Sequence, residues 1–322
     1  MTKRVVAWIA FVMLAYCLPV AAEQPQAAVA GKLKTAADLL KEFSSVKYSW
    51  EQTDVAEKMI ALGDKSVIPQ LESYFNSENR KERCNAGYVV SGLGDWRGSL
   101  VILRELKDRE PRFTNILRSD GKPYPAGQIN EDRYLAVCLL GRLKEKDAVP
   151  DLIEATRDKT IHYAAAVSLG QISDRKAIPA LQQMARDFPD HRLWAGYGLA
   201  LLSEPEGFEI LTEMASDPQW VNRRHSVEAM GTIGDRKMAP LLVKALKDQK
   251  MEVRISAAIS LGKIGDPATL PVLTAALNES EAESAATKKI ETDFADQDGI
   301  KRREIFNRVA RNAIELIQVK SK

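Results

Sequence analysis

The sequence has few of the residues that most often build metal and redox sites. Its 322 residues include three cysteines and three histidines. The histidines, His162, His191 and His225, are far apart in the sequence, so no zinc-binding spacing is present. Cys84 and Cys138 lie in apolar, helix-like stretches, which predicts buried thiols acting as small hydrophobic side chains, although an oxidising compartment would permit a disulfide. We therefore expect no metal, no cofactor and no catalytic residues.

The sequence also has no excess of either charge. Lysine and arginine number 46 against 44 aspartate and glutamate residues, and 45% of the chain is hydrophobic. A helical repeat protein that binds DNA or RNA is expected to carry a clear basic excess. The composition therefore indicates a chain able to bury a sizeable core, with no nucleic acid among its partners.

A long apolar run occurs only at the N-terminus. Lys3 and Arg4 precede the run Val5–Leu18, and small residues follow as far as Ala22. This pattern predicts a secretory signal peptide over residues 1–22, cleaved after Ala22, because the run is short for a membrane span. Cleavage would leave 44 basic and 44 acidic residues and no integral membrane span. We expect a periplasmic or secreted protein.

Two alternatives to cleavage at Ala22 stay open. The apolar run could be retained as an N-terminal anchor. The stretch "LAYC", ending at Cys17, is similar to a bacterial lipobox, although Tyr16 stands where a small residue is normally needed. A lipoprotein with a modified Cys17 is therefore a minor alternative.

One phrase recurs along the chain: "LGQISDRKAIPAL" (169–181), "MGTIGDRKMAPLL" (230–242) and "LGKIGDPATLPVL" (261–273). We number each unit from its glycine or the equivalent residue as position 0. These zero positions are Ile60, Ser91, Gly141, Gly170, Ala200, Gly231 and Gly262. Position +4 is acidic in every unit, position +9 is usually proline, position −5 is usually alanine and position −8 is usually arginine. A catalytic motif has no reason to recur in this way, whereas a structural unit does.

Each unit reads as two antiparallel helices. Apolar residues at helical spacing end at position 0, the acidic turn breaks the helix, and proline occupies the first turn of the next. A single pair cannot cover its apolar faces, so pairs must stack. An arginine that recurs at −8 after a turn aspartate, as in Asp217 to Arg223 and Asp248 to Arg254, predicts a structural ladder between units.

The pattern "VRISAAISLGKIGD" (253–266) resembles the HEAT-like repeats of the phycobilisome-lyase type, and the resemblance covers about residues 50–278. It implies an all-α, right-handed α-solenoid of about seven HEAT-like helix pairs with a C-terminal capping helix. Residues 23–49 would form an N-terminal segment and capping helix, and residues 279–322 a linker and the C-terminal capping helix. Such repeats occur in chromophore lyases, scaffolds and DNA-repair enzymes, so the fold does not assign a function.

Two places depart from the repeat. The 50-residue spacing between Ser91 and Gly141 contains an insertion over about residues 108–130, rich in proline and glycine, which is either functional or disordered. The stretch "DFADQDGI" (293–300) has the wrong acid spacing for a calcium loop. The amphipathic stretch after it, Ile300–Ile317, reads as a cap for the last repeat rather than a membrane-surface helix.

The aromatic residues suggest a binding groove. In HEAT-like solenoids the second helix of each pair lines the concave face, and we assign positions −9, −6 and −2 to its solvent side. The candidate partner-binding residues in these rows are Leu135, His191, Trp194, Asn222 and His225. Tryptophan is common at binding hot spots, although Trp194 could instead pack between helices. The sequence thus predicts a non-enzymatic protein- or peptide-binding scaffold of the bacterial cell envelope; the alternative is an enzyme or enzyme accessory of the chromophore-lyase kind.

Overall fold

The computed structural model describes residues 34–46, 48–111, 122–289 and 297–321. The predicted signal peptide, Cys17, the central part of the insertion and the first half of the "DFADQDGI" stretch lie outside these residues. The described residues form two compact units, one ending at Met184 and one beginning at Ala185.

Most described residues are helical, and none of them forms a strand. The sixteen helices are α1 (Ala36–Ser45), α2 (Ser49–Leu62), α3 (Ile68–Glu72), α4 (Arg80–Gly92), α5 (Arg97–Lys107), α6 (Pro125–Leu143), α7 (Val149–Ala155), α8 (His162–Ile172), α9 (Ile178–Asp187), α10 (Arg192–Leu201), α11 (Pro205–Met214), α12 (Trp220–Ile233), α13 (Ala239–Ala245), α14 (Met251–Ile264), α15 (Leu270–Lys289) and α16 (Gln297–Lys320). The predicted all-α fold of stacked helix pairs is confirmed. The even-numbered helices are the second helices of their pairs.

Second helices pack on one another within each unit. In the first unit α4 lies between α2 and α6, and α8 packs on α6; in the second unit α12 lies between α10 and α14, and α16 packs on α14. Most first helices are shorter than their partners, and several follow a 3₁₀ turn, as at Lys65–Val67 and Arg236–Met238. The pairing follows from the sequence repeat, because each pair covers its neighbour's apolar face.

The recurring acid at +4 caps the turn after most second helices, with Glu204 as the exception. The backbone N–H of Ser66 donates to the Asp64 side chain at 2.9 Å, and that of Lys237 donates to Asp235 at 2.9 Å. The same bond joins Ala268 to Asp266 at 3.1 Å. A carboxylate at a helix start accepts from backbone N–H groups that have no partner within the helix. The repeated acid is therefore a structural cap.

The small residue at position 0 lets second helices approach closely. A Cβ atom at Gly141 would overlap the side chain of Ser168, and one at Gly231 would overlap Ser260. Each of these serines also donates a hydrogen bond to a backbone carbonyl of the preceding helix, at 2.9 Å in both cases. Position −2 therefore faces the neighbouring helix, where a buried hydroxyl needs such a partner.

The arginines at −8 form the predicted ladder. Arg83 Nε and Nη2 each donate to Glu105 at 2.7 Å, and Arg223 Nε and Nη2 donate to Asp248 at 2.7 and 2.8 Å. Arg223 also donates to the carbonyl of Asp217 in its own pair at 2.8 Å.

Two further rungs follow the same rule. Arg133 Nη1 pairs with Asp158 at 2.8 Å, and Arg192 Nη2 pairs with Glu213 at 2.7 Å. Each rung joins a second helix to the end of the next first helix. Bidentate arginine–carboxylate geometry fixes orientation as well as distance, so the ladder sets the register between pairs.

The C-terminal helix α16 closes the second unit as predicted. It occupies the place of a further second helix, because a Cβ at Gly262 would meet Ala313 as one at Gly231 meets Ser260. Ala310 and Ile317 are fully buried, and Lys320 Nζ donates to the carbonyl of Lys263 at 2.7 Å. The apolar side of α14 is thereby covered.

Cys84 and Cys138 form no disulfide with each other and are fully buried, which confirms that they pack as small apolar side chains. Burial raises the pKa of the Cys84 thiol well above its ordinary value. Within the described part of the chain, no helix combines the length and apolar character needed to cross a bilayer.

Candidate binding face on the second helices

Helices α12 and α14 show which side of a second helix meets solvent. On α14, Ile259 is 41% exposed and Glu252, Ile255 and Lys263 are half-buried. These residues stand at −10, −7, −3 and +1, whereas the residues at −9, −6 and −2 are buried. On α12 the rows −10, −7, −3 and +1 are likewise half-buried. On these two helices the predicted solvent rows at −6 and −2 were therefore wrong by one residue, because position −2 packs on the preceding helix. On α10 the predicted row holds, because Trp194 at −6 is half-buried whereas Tyr197 at −3 is buried.

Two candidate residues are buried as a result. Leu135 on α6 is 3% exposed and His225 on α12 is 5% exposed. The expectation that both lie open in a groove was wrong. Leu135 belongs to the apolar core of the first unit, and His225 contributes to the surface only through the groups that it positions.

The other three candidates reach the surface. His191 is exposed in the turn Pro189–His191 that leads into α10. Trp194 on α10 and Asn222 on α12 are half-buried. The expected proximity of Trp194 and His225 is confirmed, because their ring centroids are 5.3 Å apart with the planes at 47°.

His225 connects Trp194 to a carboxylate that the sequence reading missed. Its Nδ1 lies 3.2 Å from Glu228 Oε2, and the Ser256 hydroxyl donates to Glu228 Oε1 at 2.8 Å. Arg224 Nε lies 3.4 Å from the same Oε1 atom. We call Arg224, His225, Glu228 and Ser256 the Glu228 cluster. It spans α12 and α14, and the Glu228 side chain keeps 26% of its surface exposed.

The Glu228 cluster holds its carboxylate ionised. Burial acts to raise the pKa of Glu228, but the hydrogen bond from His225 and the charge of Arg224 outweigh it and lower the pKa. Lys263, one turn beyond Ile259 on α14, has a lowered pKa because it is partly desolvated, while Glu228 acts in the opposite direction. The site therefore presents a negative group beside a partly desolvated amine.

Aromatic and aliphatic groups surround the Glu228 cluster. The Arg224 guanidinium lies over the Trp220 ring, 5.7 Å from its centroid, and such stacking orients an arginine that also pairs with a carboxylate. Trp194 contacts the opposite end of the cluster through His225, and Ile259 is exposed on the adjoining helix. The face thus combines two indoles and an aliphatic side chain with charged groups.

The first unit carries a second carboxylate in the same row. Glu57 on α2 accepts a hydrogen bond from the Tyr88 hydroxyl at 2.9 Å and one from Arg142 at 2.7 Å. Burial, together with the nearby Glu57 charge, raises the pKa of Tyr88. Glu57 and Glu228 both stand at −3 and each contacts an arginine and a hydroxyl. Glu57, Tyr88 and Arg142 come from the three successive second helices α2, α4 and α6. Their hydrogen bonds therefore stabilise the stacking of these helices.

The missed residues carried a signal in the sequence. Glu57 and Glu228 are both glutamates at position −3 of their repeats. A solvent row at −3 would have selected these two positions and Ile259, but also four residues that are buried, Tyr88, Cys138, Val167 and Tyr197. Among the residues that the structure describes, no three side chains of the metal-binding types are arranged around a common point.

Stacked helix pairs held by an arginine ladder define an α-helical repeat protein. The family profile of HEAT repeats matches residues 128–200, 186–247 and 208–288, which together span half of the chain. The chain belongs to the HEAT-repeat family.

Solved structures with similar folds are distant in sequence. The complex of CpcE and CpcF of phycocyanin lyase from Nostoc sp. PCC7120 is 18% identical over 79% of this chain and 96% of its own, with a TM-score of 0.47. The Escherichia coli protein YibA is 14% identical over 88% and 93%, with a TM-score of 0.38. Human deoxyhypusine hydroxylase is 15% identical over 88% and 96%, with a TM-score of 0.33. At these values the likeness carries no argument about function. No protein of curated function matches the sequence.

Proposed function

We propose that the protein is a non-enzymatic scaffold of the bacterial cell envelope that binds a protein or peptide partner across the second helices of its repeats. Export to the periplasm or the medium after cleavage near Ala22 is part of the proposal. Its support is the N-terminal basic pair followed by an apolar run and small residues.

The Glu228 cluster is the observation that carries the binding proposal. An ionised carboxylate, held by three side chains and still 26% exposed, can accept hydrogen bonds from backbone or side-chain N–H groups of a partner. Trp194, Trp220 and Ile259 offer apolar contacts around it. Aromatic anchors beside a positioned polar group are typical of protein-binding surfaces.

Site-specific photo-crosslinking in the native host tests this proposal. A photoreactive amino acid replaces Ile259, which lies on the proposed face, and a matched control carries it at Leu100, which is 51% exposed on α5. We expect a discrete crosslinked protein at position 259 that is absent at position 100. Equal products at both positions, or none at 259, would contradict binding at this face.

The material captured at position 259 also separates the proposal from its alternative. A protein partner that carries no modification supports a scaffold. A partner that acquires a covalently attached chromophore only when this protein is present would instead favour an enzyme or enzyme accessory of the chromophore-lyase kind.

A further inference from the structure

The last arginine of the ladder has no internal carboxylate. Arg83, Arg133, Arg192 and Arg223 each pair with an acidic residue 21 to 25 positions later. Arg254 Nε donates to the backbone carbonyl of Asp248, as Arg223 does to Asp217. Among the described residues, no carboxylate forms an ion pair with Arg254.

At two of the three internal spacings, the residues that would supply this rung are alanines. Glu213 stands 21 positions after Arg192 and Glu105 stands 22 after Arg83; the corresponding residues after Arg254 are Ala275 and Ala276 on α15. Asp158 and Asp248 each stand 25 positions after their arginines. The residue 25 positions after Arg254 is Glu279. It lies within the continuous helix α15 rather than in a turn, and it is exposed.

A cleft opens where the carboxylate is missing. Its volume is about 610 Å³, and Arg254 and Lys247 line it together with the apolar Met251, Val272 and Phe306 and the acidic Glu279 and Glu283. Val272 is 37% exposed, so part of the apolar wall faces solvent. The cleft joins an arginine that can still donate through its terminal nitrogens to a mixed wall, which is apolar at Met251 and Val272 and acidic at Glu279 and Glu283.

The first unit has an equivalent cleft in which the rung is filled. That cleft, of about 560 Å³, is lined by Arg133, Asp151, Glu154 and Asp158. Arg133 pairs with Asp158, and Lys107 pairs with Asp151 at 2.9 Å. Asp151 and Glu154 correspond to Val272 and Ala275 in the alignment of the repeats. At these two positions the second cleft therefore has apolar side chains instead of carboxylates, while Glu279 stands at the position of Asp158 without forming an ion pair with Arg254.

We propose that the cleft at Arg254 binds an acidic side chain of a partner protein, a glutamate or aspartate flanked by apolar residues. The partner's carboxylate pairs with the Arg254 guanidinium in the geometry of the internal rungs, and its apolar neighbours pack against Met251 and Val272. The internal rungs supply the evidence for this occupant, because four arginines at the same repeat position each hold a carboxylate. The site is separate from the Glu228 cluster and does not depend on it.

A peptide titration followed by NMR tests the proposal. The probes are Ac-Leu-Glu-Leu-NH₂ and its uncharged counterpart Ac-Leu-Gln-Leu-NH₂, and the reporter is the ¹³C-labelled methyl group of Met251. We expect saturable shifts with the glutamate peptide and about tenfold weaker binding of the glutamine peptide, the difference expected from a hydrogen bond to a charged group.

Two variants make the result decisive. Arg254→Gln should remove the preference for the glutamate peptide. Ala275→Glu places a carboxylate 21 positions after Arg254, as Glu213 stands after Arg192, and should therefore abolish binding of both peptides. This second variant keeps the test valid even if Arg254→Gln does not fold. Equal binding of the two peptides, no saturable shift, or a preference that survives Arg254→Gln would overturn the proposal. The proposal would also be overturned if Glu279→Gln lowered folding stability as much as Arg254→Gln does, because Glu279 would then be the carboxylate that pairs with Arg254.

Discussion

The indole of Trp194 packs against the imidazole of His225 with 5.3 Å between ring centroids, and this contact joins α10 to α12 across two successive repeats. His225 is buried and bonds to Glu228, so the tryptophan on one helix is linked to a carboxylate on the next through a single side chain. Repeat proteins gain stability mainly from such nearest-neighbour contacts. Here the same contact also shapes the proposed binding face.

The ladder predicts different costs for chemically identical substitutions. Arg223→Gln removes a bidentate pair whose side chains are 16% and 11% exposed, whereas the Arg192–Glu213 pair is 33% and 57% exposed. We expect Arg223→Gln to lower the free energy of unfolding by about 2 kcal/mol or more, because Asp248 loses its partner while partly buried. Arg192→Gln should cost less than about 1 kcal/mol. Urea denaturation of both variants measures the difference, and equal costs would contradict a structural ladder.

Close helix packing at position 0 predicts a sharp contrast between adjacent residues. Gly231→Leu forces a side chain into Ser260 and should destabilise the protein by about 1–3 kcal/mol. Thr232→Leu, the matched control, changes a half-buried residue on the solvent row and should change stability by less than about 1 kcal/mol. Thermal unfolding compares the two. A larger loss in Thr232→Leu would mean that the helix is rotated from the orientation described.

Asp132 predicts a pH dependence in the first unit. Burial raises the pKa of Asp132 to about 6, although Lys81, Gln128 and Arg80 oppose the shift. Between pH 4 and 6 the folded state therefore holds more protons at this group than the unfolded state, so its contribution to stability falls as pH rises. Relative to Asp132→Asn, the wild type should lose up to about 3 kcal/mol over this range.

Urea denaturation of both proteins at several pH values checks this expectation. Asp158 serves as the internal contrast. Burial acts to raise its pKa, but hydrogen bonds from Thr160 and Arg133 outweigh it and lower the pKa to about 2. The stability from Asp158 is present above about pH 4 and is lost as pH falls toward 2. A constant difference between wild type and Asp132→Asn from pH 4 to 6 would show that Asp132 titrates normally.

Export predicts the N-terminus of the native protein. N-terminal sequencing of protein from the periplasm or medium should begin at Glu23. Protein that begins at Met1 in the cytoplasmic fraction would contradict cleavage and export. A lipid-modified protein that begins at Cys17 would support the lipoprotein alternative instead.

The sequence predicted the helix pairs well because their determinants are local. The acid at +4 caps a turn, as Asp235 does, and the glycine at 0 lies at a helix contact, as Gly231 does, so both recur with the repeat. The arginine ladder was predicted for the same reason. Each of these features depends on residues within one pair or two adjacent pairs.

The binding face was harder to predict because it depends on helix rotation. A row at −2 and a row at −3 differ by one residue, and apolar residues surround both. Ser260 at −2 bonds to the carbonyl of Val227 on the adjacent helix, a contact that the sequence does not reveal. That contact places Glu228 and Ile259 on the surface and buries His225. The missing rung at Arg254 also required the structure, because an alanine at 275 is ordinary in a helix.

The most direct test of the proposed function is the affinity of the captured partner for Trp194→Ala, with Trp96→Ala as the matched control. Trp194 is half-buried beside the Glu228 cluster, whereas Trp96 is 69% exposed at the start of α5. We predict that Trp194→Ala weakens binding by about 1–3 kcal/mol while remaining folded, with a smaller loss of stability than the roughly 3–5 kcal/mol for a fully buried tryptophan. Trp96→Ala should leave the affinity unchanged. Unchanged affinity in folded Trp194→Ala, or equal losses in the two variants, would contradict partner binding through the second helices.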